Sequence, residues 1–485
     1  MLVALDIDRA VAPWRDPYQK AFAARYTGVT SVKTIINLEE LEQDICTALA
    51  EDNTDALRRL LTAQHPADIA DIIDRLDDEE QLAVFRLLDP PHATDVLSET
   101  GVDATRELLQ SLSADEVRAL LSRMSTDDIV EILGEDAPDL QHELLAMMEP
   151  QDAQEVRTLL TYPPRTAGRL MTEEFVQAYP DMNAAEALQA LRQVALEVET
   201  ISNLYVLDVD KRLIGIVKLR NLLLAPPERR VMDVAQTEFI TVGPETDQEE
   251  VARLVSQYDL FAAPVVDQGR KMLGIVTVDD VIDVLVQEGT EDVLRFGAVQ
   301  DGATDESYFD VPIRRAIRRR VGWLLLLFLT GTLTVNVLGW FEEALAEVVA
   351  LSFFIPLLIG TGGNTGAQTV STIVRSLALG DVRFRDIGRV LLRELGSGVL
   401  LGLLLSLAAA GMALLGGNSP ELAIVVALSV LAICVWANIM GALVPMLARR
   451  FGLDPALVSA PLITTLVDAT GLAIYLFIAK TILGL

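Results

Sequence analysis

A chain of 485 residues with 70 Asp and Glu against 39 Lys and Arg carries a net charge of −31. That balance argues against nucleic acid as a partner, because phosphate backbones are gripped by basic patches. Two cysteines, Cys46 and Cys434, imply no disulfide framework and suit a reducing compartment, and His65, His92 and His142 have no metal-ligand spacing.

The acidity is concentrated at one end. Residues 314–485 hold 13 basic and 9 acidic side chains, leaving 26 and 61 in residues 1–313, a net of −35. A body so negative repels itself when compact, and cations relieve the repulsion. Met1–Leu5 is apolar, but Asp6 and Asp8 interrupt it too soon for a signal-peptide core. The soluble part is therefore expected in the cytosol. Residues 1–35 form an N-terminal extension with no assigned role.

Residues 36–165 show short amphipathic stretches. Ala67–Leu76, Asp103–Leu112, Ala114–Met124 and Thr126–Leu133 are expected helices, with Ser113/Glu116 and Ser125/Asp128 as capping boxes. Their recurrence predicts an all-α cytosolic superhelix of short helices. Asp127 and Glu131 stand four apart on one helix face, an unfavourable pair unless a cation lies between them.

Residues 166–292 change character. Phe175–Ala178, Asn203–Asp208, Leu213–Lys218, Phe239–Val242, Ala262–Val266 and Met272–Thr277 read as strands, with helices at Ala184–Leu196, Asp247–Tyr258 and Asp279–Gln287. The order β-α-β-β-α occurs twice, and matching hairpins lead into Leu213-Ile214-Gly215-Ile216-Val217 and Leu273-Gly274-Ile275-Val276. This duplication resembles an α/β tandem CBS (Bateman) module, with repeats at 166–230 and 231–292, which implies a regulatory role. Thr277 and Asp280 match the Thr-x-x-Asp pattern that holds a nucleotide ribose in many CBS domains, so ATP is a candidate ligand. Asp247, Glu249, Asp259, Asp279, Asp280, Asp283, Glu288, Glu291 and Asp292 crowd the second repeat and its exit. Such oxygen ligands suit hard divalent cations, although a solvated acidic face has the same composition.

After a linker at 293–320, four segments carry no charge: Val321–Phe341, Val348–Val374, Leu395–Pro420 and Leu422–Ala448. A fifth, Phe451–Ala479, carries Asp454 and Asp468. Each can cross about 30 Å of hydrocarbon as a helix, so residues 321–485 are expected to form a polytopic α-helical membrane domain with five transmembrane helices. Arginines precede the first span (Arg314, Arg315, Arg318, Arg319, Arg320), separate the second from the third (Arg383, Arg385, Arg389, Arg393) and precede the fifth (Arg449, Arg450). The positive-inside bias then places residues 1–320 in the cytosol and the C-terminus outside.

The second span contains Pro356, Gly360, Gly362, Gly363, Asn364 and Gln368. Proline removes a backbone donor and glycine permits unwinding. The helix is expected to break here and to line a water-filled path, where broken backbone is tolerated; close packing of small residues is the alternative. In the fifth span Asp468 follows Thr464 and Thr465. A carboxylate at bilayer depth costs roughly 2.5–3.5 kcal/mol on insertion scales unless it meets a cavity, a partner or an ion, so Asp468 is the first candidate for binding a transported cation.

The order of these parts, with Gly360-Thr361-Gly362-Gly363-Asn364-Thr365-Gly366-Ala367-Gln368, Asp454-Pro455-Ala456-Leu457-Val458 and Asp468-Ala469-Thr470-Gly471, resembles the MgtE-type magnesium channels and transporters from about Asn37 to the C-terminus. The resemblance implies a non-enzymatic homodimer in the lipid of the cell membrane. Its axial pore would be lined by Pro356, Gly360, Gly362, Gly363, Asn364, Gln368, Thr464 and Thr465, with hydrated Mg²⁺ at paired Asp468 side chains. It further implies closure by intracellular Mg²⁺ at Asp127, Glu131, Asp247, Glu249, Asp259, Asp280, Asp283, Glu288, Glu291 and Asp292. Glu131 departs from the pattern, which has an aspartate there. Co²⁺, Ni²⁺ or Mn²⁺ transport is the alternative. An intramembrane aspartic hydrolase would need a second carboxylate near Asp468, and Asp454 lies 14 residues away at the membrane edge.

Overall fold

The computed structural model describes residues 38–134, 138–195, 198–300, 311–378, 380–455 and 458–485. The N-terminal extension, residues 301–310 of the linker, and Ala456 and Leu457 lie outside these ranges. Two compact units are present, one running to Met124 and including Glu131–Ala153, the other combining Ser125–Val130 with Gln154–Leu485.

The cytosolic helices are α1 (Leu38–Ala50), α2 (Thr54–Thr62), α3 (Pro66–Ile73), α4 (Asp78–Phe85), α5 (Pro90–Glu99), α6 (Val102–Ser111), α7 (Ala114–Leu121), α8 (Thr126–Leu133), α9 (Pro138–Met147) and α10 (Pro150–Leu159). Local chemistry keeps them short. Asn53 accepts the Ala56 N–H at 3.1 Å, Asp77 accepts the Glu80 N–H at 3.0 Å, and Ser113 with Glu116 completes the expected capping box. Pro66 and Pro90 occupy first-turn positions, where no N–H is needed. Helices of this length are marginal alone. Buried Leu61, Ile69, Ile73, Leu97 and Leu108 hold those of the first unit together, with α3 packing on α5, α4 on α6 and α5 on α7. This one-over-two stacking is the expected superhelix.

In the second unit, α11 (Ala167–Leu170) leads into β1 (Phe175–Ala178), α12 (Ala184–Val194), β2 (Thr200–Leu207), β3 (Leu213–Lys218), α13 (Leu219–Leu224) and α14 (Val231–Val234). The second repeat follows as α15 (Gln248–Tyr258), β4 (Ala262–Val266), β5 (Met272–Thr277) and α16 (Val278–Phe296). β1 lies parallel to β2, and the β2–β3 and β4–β5 pairs are antiparallel hairpins. The expected strand Phe239–Val242 contracts to a single bridge from Val242 to Val265. Beyond it, the carbonyls of Pro244 and Thr246 accept from Gly168 and Ala167, so that backbone serves the α11 turn instead of a ladder. α16 overruns its expected end at Gln287 and passes residue 292 without a break.

The membrane part comprises α17 (Ile313–Trp340), α18 (Glu342–Glu347), α19 (Ala350–Ala378), α20 (Ile387–Leu415), α21 (Pro420–Arg450) and α22 (Ala460–Leu483). The segments Ile313–Trp340, Phe384–Leu415, Pro420–Arg450 and Ala460–Leu483 are long and apolar enough to cross a bilayer. α19 has 29 residues and the necessary length, but a polar middle.

Two expectations for the membrane part need correction. The second span is not broken: α19 runs unbroken through Pro356 and the Gly360–Gln368 window. Its hydroxyls return to the helix, Thr361 donating to Leu357 O at 2.7 Å and Thr365 to Thr361 O at 2.7 Å. Its glycines accommodate neighbours, because a Cβ on Gly362 would stand 2.6 Å from Ile433 and one on Gly366 2.9 Å from Ile463. The fifth helix begins at Ala460, not Phe451, so Asp454 lies in the preceding segment, after Gly452 ends α21 at φ +77°.

Arginines at the end of α21 meet the end of α19 and the approach to α20. Arg449 donates to Leu377 O at the end of α19, and Arg450 lies 5.4 Å from the ring centre of Phe384, before α20. At the opposite end Tyr475 Oη donates to Leu351 O at 2.9 Å. Asn438 accepts from Thr369 Oγ1 at 2.5 Å and donates to Cys434 O, an internally satisfied polar pair between α19 and α21.

Candidate cation sites

Asp468 is half-buried on α22, one turn after Thr464. Both face α19 at Gly363: a Cβ there would lie 3.3 Å from Thr464 Cγ2 and 3.4 Å from Asp468 Oδ1. Thr464 and Thr465 donate their hydroxyls to Pro461 O at 2.9 and 2.8 Å. Among the described residues, no side-chain hydrogen bond or ion pair engages the Asp468 carboxylate. A half-buried membrane carboxylate beside glycine, without a protein cation, keeps its negative charge uncompensated by the protein.

The expected lining residues of α19 divide between two faces. Gly362 and Gly363 are buried against α21 and α22, whereas Pro356, Gly360, Asn364 and Gln368, successive i, i+4 positions, form an exposed stripe.

Six carboxylates of the second unit gather near the start of α16: Asp127, Asp128, Glu174, Glu199, Asp279 and Asp280. Burial, then the charges of Asp280, Asp128 and Glu199, push the Asp127 carboxyl well above the usual range. Its Oδ1 is shut off from solvent without a hydrogen-bond partner. Glu199 is raised to about 7 by partial withdrawal from water and by Asp280, Asp128, Asp279 and Glu174. Asp280 is raised to about 6, chiefly by burial, even though Thr277 Oγ1 donates to it at 2.5 Å. Thr277 and Asp280 thus form the capping box of α16. Sequence reasoning named Asp127 and Asp280 but missed Asp128, Glu174 and Glu199 as partners. Glu199 belongs to no motif; it arrives through the fold, at the foot of β2.

A second group surrounds the α15–α16 pair. Burial and neighbouring carboxylates raise Glu249, near Glu288, Asp292, Asp247 and Asp454, and Asp292, near Asp454 and Glu288. Asp247 caps α15 by accepting the Glu249 N–H at 2.9 Å, and Glu288 accepts from Gln248 Nε2 at 2.6 Å. Glu291 is different, its carboxylate buried between Arg165, at 2.7 Å, and Arg295. Asp259 is the exposed left-handed residue ending α15, and Asp283 and Glu131 are exposed on α16 and α8. Among the described residues no three such side chains stand ready to hold a bare metal ion. The oxygen donors and the orphan Oδ1 of Asp127 nevertheless suit Mg²⁺, which keeps several waters.

Residues 355–478 match the MgtE family model, described as a divalent cation transporter, residues 64–165 the MgtE intracellular N domain, and residues 167–228 and 231–287 the CBS domain. The magnesium transporter MgtE of Thermus thermophilus is 42% identical over 448 residues, covering 92% of this chain and 99% of that protein. This chain belongs to the MgtE family. The MgtE of Bacillus subtilis is 35% identical over 412 residues, 85% of each chain. A solved cytosolic domain of the Mg²⁺ channel MgtE in complex with ATP is 37% identical, covers 50% of this chain and 99% of that one, and superposes with a TM-score of 0.48. As an MgtE-family member, the chain is a multi-pass membrane protein with cytosolic N-terminal domains. The membrane match encloses Gly363, Thr464 and Asp468, and the N-domain match encloses Asp127 and Glu131.

Proposed function

We propose that this chain transports Mg²⁺ into the cell through a pore at Asp468 and is closed by Mg²⁺ on its cytosolic face. The observation that carries the reading is the Asp468 carboxylate, held in a membrane helix beside Gly363 without a protein cation. Mg²⁺ dehydrates reluctantly, so Asp468 and Thr464 would act on its bound waters.

The exposed stripe Pro356, Gly360, Asn364 and Gln368 supports a homodimer. At bilayer depth such groups favour protein or water over lipid, and a second copy across an axial pore supplies both. With α19 counted, five spans put the C-terminus outside, in line with the arginine distribution. Regulatory Mg²⁺ belongs with Asp127, Asp128, Glu199, Asp279 and Asp280, and with Asp247, Glu249, Glu288 and Asp292. At low Mg²⁺ their mutual repulsion favours separation and an open pore. At high Mg²⁺ the ion binds the compact state more tightly and shifts the population toward closure. ATP near Thr277 and Asp280 would add to that compact state if its ribose displaced the capping hydrogen bond.

The test is flux in liposomes with Mg²⁺ varied independently on each side. Uptake should be driven by membrane potential and fall as Mg²⁺ on the cytosolic face rises. Uptake of Co²⁺, Ni²⁺ or Mn²⁺ in preference to Mg²⁺ would overturn the choice of ion.

A further inference from the structure

The last turn of α16 meets the membrane part through two adjacent residues. Arg295 donates through Nη1 to Asp454 Oδ2 at 2.6 Å and through Nη2 to Glu291. Glu291, only 2% exposed, is also held by Arg165 at 2.7 Å. Next to Arg295, Phe296 packs on the cluster of Val370, Ala437, Val458, Ile463 and Val467. Val467 precedes Asp468, and Asp454 lies five residues before Ser459, the N-cap of α22. A row of charges therefore runs Arg165, Glu291, Arg295, Asp454 from the start of the CBS pair to the approach of the helix bearing Asp468.

We propose that Arg295 and Asp454 form a fixed-cation latch, which couples α16 to α22 and sets the Mg²⁺ concentration at which the pore closes. Arg295 is a positioning residue: it touches no transported ion and acts through Asp454 and Phe296. A guanidinium stays charged at any cytosolic pH and matches carboxylates in a planar fork. The latch therefore persists when Mg²⁺ is scarce, whereas divalent ions at the surrounding carboxylates come and go. It biases the compact state, so that fewer bound ions complete closure. Glu291 anchors it, since a buried carboxylate left unpaired is strongly unfavourable.

The inference rests on the proposed Mg²⁺ gating, and the experiment separates the two. Flux of the full-length chain in liposomes is measured against Mg²⁺ on the cytosolic face for wild type, Arg295→Gln, Asp454→Asn and the exchanged pair Arg295→Asp with Asp454→Arg. Each single variant is expected to raise the half-inhibitory Mg²⁺ concentration by at least about fivefold, the lower end of ordinary coupling between sites, with flux at the lowest Mg²⁺ unchanged. The exchanged pair should return toward wild type, which a merely structural role for either residue does not predict. Normal inhibition in wild type with no shift in the single variants, or a shift that the exchange does not reverse, overturns the latch. Wild-type flux indifferent to cytosolic Mg²⁺ overturns the gating reading and the latch with it.

Discussion

A methyl group on residue 363 would touch Thr464 and reach the Asp468 carboxylate at van der Waals distance. The space around the membrane carboxylate thus depends on what α19 lacks as much as on what α22 carries. Asp468→Asn keeps shape and hydrogen-bonding capacity but removes the charge. Mg²⁺ flux should fall at least about tenfold, the effect of about 1.4 kcal/mol of lost attraction, while the protein remains folded by size-exclusion chromatography. Unaltered flux from a folded variant would remove Asp468 from the pore. The residue stood out in the sequence because one anion interrupts an apolar run. The partnership with Gly363 did not, since both belong to motifs separated by about a hundred residues and only helix packing aligns them.

At the scale of elements, α19 separates two uses of glycine. Gly362 is enclosed by Ile433 and Val467, whereas a Cβ on Gly360 would meet nothing within 4 Å. Gly362→Ala should therefore destabilise by about 1–3 kcal/mol through overpacking. Gly360→Ala should leave stability unchanged or raise it by up to about 1 kcal/mol, because alanine favours helix. Thermal unfolding in detergent distinguishes them, and equal shifts would contradict the assignment of faces. The same helix shows where composition misled. Proline and clustered glycine predict a break, but close packing on α21 and α22 holds the helix continuous, and its threonine hydroxyls bond back to its own preceding turn instead of facing a break. The start of α22 was misplaced for a related reason: Phe451 and Leu453 continue the apolar run, while Gly452 has already turned the chain.

Over the whole molecule, the acidic excess acts where folding compresses it. Asp127, Glu199 and Asp280 hold protons more tightly in this packing than free carboxyl groups do, Glu199 to about 7 and Asp280 to about 6. A raised carboxyl favours the packed state as pH falls. The gain begins below about pH 7 and is complete only below the ordinary values of 4.5 and 3.8. Without Mg²⁺, trypsin should therefore cleave the cytosolic half more slowly at about pH 6 than at about pH 8, each rate being divided by that for an unstructured peptide at the same pH because the protease's own histidine base is lost on protonation. Saturating Mg²⁺ should slow cleavage at both and shrink the difference, because the ion does the proton's work. Glu199→Gln should also flatten the pH dependence. A rate that rises on acidification would contradict the compressed cluster.

The succession of an acidic superhelix, a CBS pair and a membrane part was legible from charge, periodicity and internal repetition, which are local properties of the chain. So were Asp468, Asp127 and Asp280 as candidate sites, each marked by an acidic residue in a telling position. Only the tertiary structure decided which carboxylates share a cluster, which face of α19 is covered, and that Arg295 rather than another acidic group meets Asp454. Electrostatic coupling and close packing depend on distance through space, and residues 127, 199 and 280 become neighbours only when the chain folds.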